Sequence, residues 1–362
     1  RNCTSFGQIG EVLNDDNTGN CFAGKANGDP ANGRLEKFDS DAVTIFAQSA
    51  MHLTRDLTVT PGVRFAYYDV RRNGIYTGNP SAEPDPVVTP GADEIEGASD
   101  LLGRQSSSFN HVLPGIAFSW NALDRSTLYG GYHRGFTPSV ARGELYPLPE
   151  EIGDNFQIGF RSTAVKGLTF DVAYFYSIID DYQIKEAETT GNTGANVYGT
   201  VDEVEINGVE LYARLDSQPF TGGPFNLFSE VTYTFADSII TKGDAAEVGK
   251  YLPEVPRHFA NLTVGVEEKG LWNASVTWTH VGWFYTDTEN TPYGGHVEGA
   301  QGLVPDVWLL SARANYMVPN TGLTLFVSGQ NLEDKLYIAD RVDGMVPGVG
   351  RPIGAGFKMK LK

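Results

Sequence analysis

Apolar side chains recur at every second position along much of this chain, in runs of strand length. Between residues 168 and 178, Leu168, Phe170, Val172, Tyr174, Tyr176 and Ile178 alternate with Thr169, Asp171, Ala173 and Ser177. Successive strand residues point to opposite faces, so a period of two marks an extended segment with one apolar face and one polar face. The same alternation sets Leu57, Val59, Val63, Phe65 and Tyr67 against Thr58, Thr60, Gly62, Arg64 and Ala66. It returns at the end of the chain, where Ile353, Ala355, Phe357, Met359 and Leu361 oppose Gly354, Gly356, Lys358 and Lys360. Each such segment requires lipid or a core on one side and water on the other.

Read in order, the pattern predicts extended segments over residues 42–53, 57–67, 109–120, 126–134, 155–162, 168–178, 207–215, 225–235, 258–266, 271–282 and 307–318, then two closing strands. The connections alternate. Tight reversals at residues 53–57, 121–125, 164–167, 267–270 and 319–322 take turns with long stretches at 71–105, 135–151, 180–205, 236–256 and 284–305. About thirteen strands with short turns at one rim and loops of roughly 15 to 35 residues at the other are the layout of an antiparallel transmembrane β-barrel. A soluble sandwich has no reason to alternate so strictly. Residues 1–37 hold turn formers without a sustained period and read as a surface loop, and residues 38–362 as the barrel portion.

The composition is compatible with this reading. Of 362 residues, 41% are hydrophobic and 12% aromatic, enough for one large sheet domain. Mean hydropathy is −0.25, and no run of about 18 apolar residues occurs, which excludes a transmembrane helix. A barrel escapes that test because only alternate residues meet lipid. A net charge of −18 excludes nucleic acid as a partner, since phosphate backbones need clustered Lys and Arg. Cys3 and Cys21, the only cysteines, read as a loop disulfide in an oxidising compartment, with two free thiols as the alternative. No signal peptide is visible at Arg1, so we expect the sequence to start after one or farther downstream.

The last strands carry a family resemblance. Asn331-Leu332-Glu333-Asp334-Lys335-Leu336-Tyr337, followed by a long loop and Gly350-Arg351-Pro352, resembles the ending of TonB-dependent outer-membrane receptors, which run Asn-Leu-x-Asp-x-x-Tyr into a loop closed by Gly-x-x-Arg. Three further segments are similar to strands of that family: Tyr129-Gly130-Gly131-Tyr132-His133-Arg134-Gly135-Phe136-Thr137-Pro138, Asn207-Gly208-Val209-Glu210-Leu211 and Leu252-Pro253-Glu254-Val255-Pro256-Arg257-His258. The resemblance implies a barrel of about 22 strands with a plug domain, TonB-dependent uptake of a ferric chelate (a siderophore or ferric citrate) and coupling to the TonB-ExbB-ExbD complex. It implies a bacterial outer-membrane setting, with lipid and lipopolysaccharide around the barrel and the long loops extracellular. An odd strand count cannot close an antiparallel barrel, so we expect a fragment, and the resemblance implies that roughly nine strands, the plug and the TonB box lie upstream of Arg1. Family members end on Phe or Trp. Alternation puts the residue after Lys362 on the apolar face, so we expect the terminus one residue further on.

A carboxylate or hydroxamate chelate calls for cationic, hydrogen-bonding groups at the mouth, and Arg is the best bidentate partner for carboxylates. Candidates are Arg71, Arg72, Arg142 and Arg341 on the long stretches, and His133 near the end of its strand. The plainer reading of each Arg is a solvated or acid-paired rim charge, and of His133 a structural wall or girdle residue. Alternation allows only one of His133 and Arg134 to face inward. The resemblance assigns Asn331, Tyr337 and Arg351 a structural role. Trp283, Tyr285 and Tyr293 could stack on a ligand, but an aromatic belt explains them more simply. The acids between Glu83 and Asp100 lack the spacing of a calcium loop and read as a solvated stretch. No Gly-x-Ser-x-Gly, His-Glu-x-x-His or phosphate-loop motif occurs, so no catalytic residue, cofactor or metal site is expected. Competing readings are a porin-like or adhesive barrel, a receptor for cobalamin or a saccharide, and a soluble carbohydrate-binding β-protein.

Overall fold

A computed structural model of the chain describes residues 13–15, 21–23, 33–77, 105–138, 148–187, 196–292, 299, 301–341 and 344–360. Two short strands, β1 (Leu13–Asp15) and β2 (Cys21–Ala23), form a separate hairpin. The large sheet then begins with β3 (Gly33–Gln48), β4 (Met51–His52) and β5 (Leu57–Thr77). It continues through β6 (Gln105–Leu123), β7 (Ser126–Thr137), β8 (Glu151–Ser162), β9 (Leu168–Ala187) and β10 (Asn196–Asp216). A one-turn helix, α1 (Gln218–Thr221), makes the next reversal, with Gly222 left-handed at its end (φ 64°). After it come β11 (Phe225–Lys242), β12 (His258–Glu268) and β13 (Trp272–Val281). The hairpin of β14 (Phe284–Tyr285) and β15 (Leu303–Val304) lies within the following loop. The chain ends with β16 (Val307–Met317), β17 (Leu323–Gly329), the small hairpin β18 (Ile338–Asp340) with β19 (Val346–Pro347), and β20 (Ile353–Met359).

The sheet has 14 strands in the order β20-β17-β16-β13-β12-β11-β10-β9-β8-β7-β6-β5-β3, with β4 on β5. It is an antiparallel meander in which each strand pairs with its neighbours in sequence once the loop hairpins are set aside. By contacts the chain divides into two compact units. One comprises residues 1–45, 64–112 and 138–148, the other 46–63, 113–137 and 149–362.

Register turns the sequence alternation into rows. One row joins Leu128, Phe160, Val172, Leu211, Tyr233, Ala260, His280 and Trp308 across eight strands. The adjacent row on the opposite face joins Arg161, Asp171, Tyr212, Thr232, Asn261 and Thr279. The apolar face is bare: Val264, Val327 and Phe357 are 46%, 46% and 71% exposed. A continuous apolar surface of this extent is not tolerated in water. It suits hydrocarbon, and among the described residues no helix is long and apolar enough to cross a membrane. This is an all-β, antiparallel transmembrane barrel fold.

Where strands end, sequence and structure differ. Residues 180–205 and 236–256 read as loops, yet β9, β10 and β11 run 20, 21 and 18 residues, about twice what a bilayer crossing needs. Their far ends close on a small core of Ile184, Val201, Val204, Ile240 and Leu252, with Ile179, Tyr182, Ile206 and Val255 packed against it. The segment 249–252 is laced to β11, Ile240 N–H donating to Lys250 O (2.9 Å) and Leu252 N–H to Ser238 O (3.0 Å). A strand this long exceeds one crossing, and beyond the crossing alternation is not required, so the period vanishes while the ladder continues. Likewise β3 starts at Gly33 and β5 reaches Thr77, beyond the alternating positions.

Candidate wall of the passage

The polar face of the second unit is a connected hydrogen-bond surface. On β7–β9, Tyr129 Oη–H donates to Asp171 Oδ1 (2.6 Å), and Arg161 lies 3.4 Å from Asp171 Oδ2 while its guanidinium covers the Tyr129 ring at 4.5 Å. That ring lies over Gly159, where a Cβ would come within 2.3 Å of Tyr129 Cζ. Only glycine admits such an approach. Acids from three strands gather around Arg214 next: Asp216 at 2.9 Å, Glu267 at 3.0 Å and Glu230 at 3.4 Å. Its guanidinium stacks on Phe228 (4.3 Å), and Phe228 in turn covers Gly265. Asn226 Nδ2–H donates to Asp216 Oδ1 (2.7 Å) and Glu267 Oε1 (3.0 Å), and Tyr212 Oη–H to Glu230 Oε2 (3.2 Å). Farther on, the wall is neutral: Thr263 and Thr277 share a bond of 2.8 Å, and Thr279 Oγ1–H donates to Asn261 Oδ1 (2.7 Å). None of this carried a sequence motif. The carboxylates around Arg214 come from three strands, and only register brings them together.

The predicted residues fall as follows. Arg71 is held by two carboxylates, Asp41 (2.5 Å) and Asp69 (2.8 Å), an acid-paired charge of the kind expected for a rim. The Arg72 side chain and all of Arg142, Tyr293 and Cys3 lie outside the described residues, and Cys21 opens β2. Arg341 accepts at its carbonyl from Gln301 N–H (2.9 Å), and its Nε is buried without a hydrogen bond among the described residues. His133 pairs in register with Gly115 and Asn155 on the polar face and is exposed there. Arg134 faces the other way, its Nη2 2.5 Å from Asp154 Oδ2, with Tyr132 Oη–H donating to the same carboxylate (2.7 Å). His133 and Arg341, both in the second unit, share no contact.

The ending is a knot built on Asn331, which is 3% exposed. Its Nδ2 donates to Lys335 O (2.9 Å) and Val349 O (3.1 Å), and its Oδ1 accepts from Lys335 N–H (2.9 Å). Arg351 N–H donates to Asp334 Oδ1 (3.1 Å) and its Nη1 to Leu332 O (3.4 Å). The Tyr337 ring lies against Gly348, where a Cβ would meet it at 2.1 Å. Arg257 pairs with Asp237 (2.8 Å) beneath Tyr251, which packs with Trp283 and Tyr285. Trp308 stacks on His280 at 4.4 Å. At the extended strand ends the Lys242 ammonium holds the Glu203 carboxyl below its ordinary value. Burial, then the charges of Asp180 and Asp202, push Asp181 up.

With this geometry in hand, the sequence matches the family described as TonB dependent receptor-like, β-barrel, over residues 5–332. The chain belongs to that family. TonB-dependent receptor barrels are outer-membrane proteins of transport receptors, which accords with the bare apolar face and the absence of membrane-length helices among the described residues. A search of curated protein sequences finds no match. Among solved structures the chain is similar to the ferric yersiniabactin uptake receptor FyuA from Yersinia pestis, with a TM-score of 0.68 and 18% identity over 93% of this chain and 48% of that one. It is similar to the ferric citrate transporter FecA (0.65, 18%, 94% and 48%) and to the ferric-catecholate import receptor Fiu from E. coli (0.66, 18%, 94% and 46%). At these identities the likeness shows the fold alone. The chain spans about half the length of the structures it matches.

Proposed function

We propose that this chain forms the membrane wall of a receptor that takes up a ferric chelate, of the siderophore or ferric citrate type, across the bacterial outer membrane. The observation that carries the reading is the back-to-back arrangement of the sheet: a bare apolar face behind a hydrogen-bonded polar face lined with stacked arginines. Family membership supports a receptor of this class, and the printed names of FyuA, FecA and Fiu, all receptors or transporters for ferric chelates, support the choice of solute. In this reading the long loops face outward, where Arg71, Arg72, Arg142 and Arg341 meet the chelate, and His133 meets it on the wall below. Uptake is coupled to TonB-ExbB-ExbD through segments other than those described. A disulfide between Cys3 and Cys21 ties the first loop.

One observation favours a second solute class, another metal species: the copper transporter OprC shares the fold with a TM-score of 0.61 at 14% identity. Growth of strains with and without the gene, on single iron sources and on limiting copper, separates the two. Iron uptake predicts a growth defect on at least one ferric chelate and none on copper. Equal growth on every chelate overturns it, in favour of copper, of cobalamin or a saccharide, or of a porin-like or adhesive barrel.

A further inference from the structure

The polar wall is divided by charge. Toward the short-turn ends of β8 to β12, Asp171, Glu210, Asp216, Glu230 and Glu267 share the polar face, among the described residues, with the cations Arg161 and Arg214, and both arginines are paired with carboxylates. Beyond β12 the balance inverts. Strands β13, β16, β17 and β20 contain no Asp or Glu, in a protein with 45 of them. Their polar face carries Arg313, Lys358 and, just past β20, Lys360. Arg313 rests on the Phe326 ring (5.9 Å), which covers Gly356, and its one side-chain hydrogen bond among the described residues donates Nε–H to Asn315 Oδ1 (3.2 Å). Among the described residues no carboxylate pairs with Arg313, Lys358 or Lys360, and all three are exposed. Arg161 and Arg214 stand on aromatic rings in the same way but are neutralised. Among the described residues Arg313 is the stacked guanidinium whose remaining N–H groups are unspent.

We propose that this acid-free wall is an anion site for the transported solute, which would be a polyanionic chelate bearing carboxylate or catecholate oxygens. The proposal rests on the reading that the polar face lines the solute's path. A guanidinium stacked on a ring is preorganised to offer two parallel N–H groups to a carboxylate. Lys358 on β20 and Lys360 just past it, two strands from Arg313, add mobile charge, and the hydroxyls and amides of Ser311, Asn315, Thr324 and Ser328 supply neutral donors. The surplus acid on β9–β12, farther along the same sheet, repels an anion, so the field concentrates it along β16–β20. Arg313 lies four residues from the end of β16 and Lys358 one from the end of β20, so the site belongs to the short-turn end, beyond the loop-borne mouth.

The test uses the full-length gene product with Arg313→Gln, Lys358→Gln and Lys360→Gln combined. These side chains are exposed and share one hydrogen bond, so assembly should survive, and the amount in the outer membrane checks it. Fluorescence titration of the purified protein with pyrenetetrasulfonate should give affinity weakened about tenfold in the variant, with a shallower salt dependence. Unchanged affinity overturns the site. Radioactive iron uptake should fall for ferric citrate, an anion, and hold for ferrioxamine B, a cation; an equal response for both overturns it. Should the unmodified receptor import neither chelate, the uptake reading fails, while the titration still decides the anion site. A photo-crosslinker at Lys358 that captures a polypeptide assigns the wall to an acidic protein segment and overturns the solute.

Discussion

Gly159 and Asn331 show how much of this fold turns on single side chains. A Cβ at residue 159 would enter the Tyr129 ring, so Gly159→Val must expel the ring from Asp171 and uncover Arg161. Overpacking and a lost hydrogen bond together cost about 2–4 kcal/mol, read as a lower urea midpoint for the folded barrel, with Gly354→Val as the control because nothing lies within 4 Å of that position. Asn331→Ala removes three hydrogen bonds to loop backbone and should cost about 1–3 kcal/mol, seen first as faster proteolysis within residues 332–352. Asn331, Tyr337 and Arg351 were singled out through the family resemblance, whose motif is local and of fixed spacing, and Asn331 and Arg351 bond within residues 331–351. Arg214 was not: its acids lie at positions 216, 230 and 267, a set that no spacing rule links.

Strands were legible where they cross lipid and lost where they leave it. From Leu168 to Ile178 the alternation locates β9, but the remainder of that strand, to Ala187, is ordered by the core around Ile184, Val204 and Leu252. Those residues are apolar without period, so they read as loop. The core joins the strand ends into one packed platform. Leu252, 1% exposed, anchors it, and Leu252→Ala should destabilise the platform by about 2–5 kcal/mol. Hydrogen exchange should then accelerate at residues 200–206 and 238–252 while the bilayer-level halves of β9–β11 keep their protection. Uniform acceleration along these strands would mean that the ends and the crossings form one cooperative unit.

At the scale of the molecule, the same alternation that looks weak in mean hydropathy builds two complete surfaces. An acidic chain tolerates a greasy exterior because most of its charges lie in loops, toward strand ends or on the polar face, where Asp171, Glu230 and Glu267 are paired with arginines. The function that follows depends on which face meets hydrocarbon. Nitroxide labels placed singly at Leu262, Val264, Leu325 and Val327, and at Thr263, Thr277, Thr324 and Ser328, report that directly through their collision rates with oxygen and with a water-soluble nickel chelate in outer-membrane vesicles. The first four should favour oxygen and the second four the nickel chelate, in strict alternation along β12 and β17, with Thr277 on β13 matching its register partner Thr263. Nickel collisions at Val264 and Val327 as frequent as at Thr263 and Ser328 would contradict a lipid-facing surface.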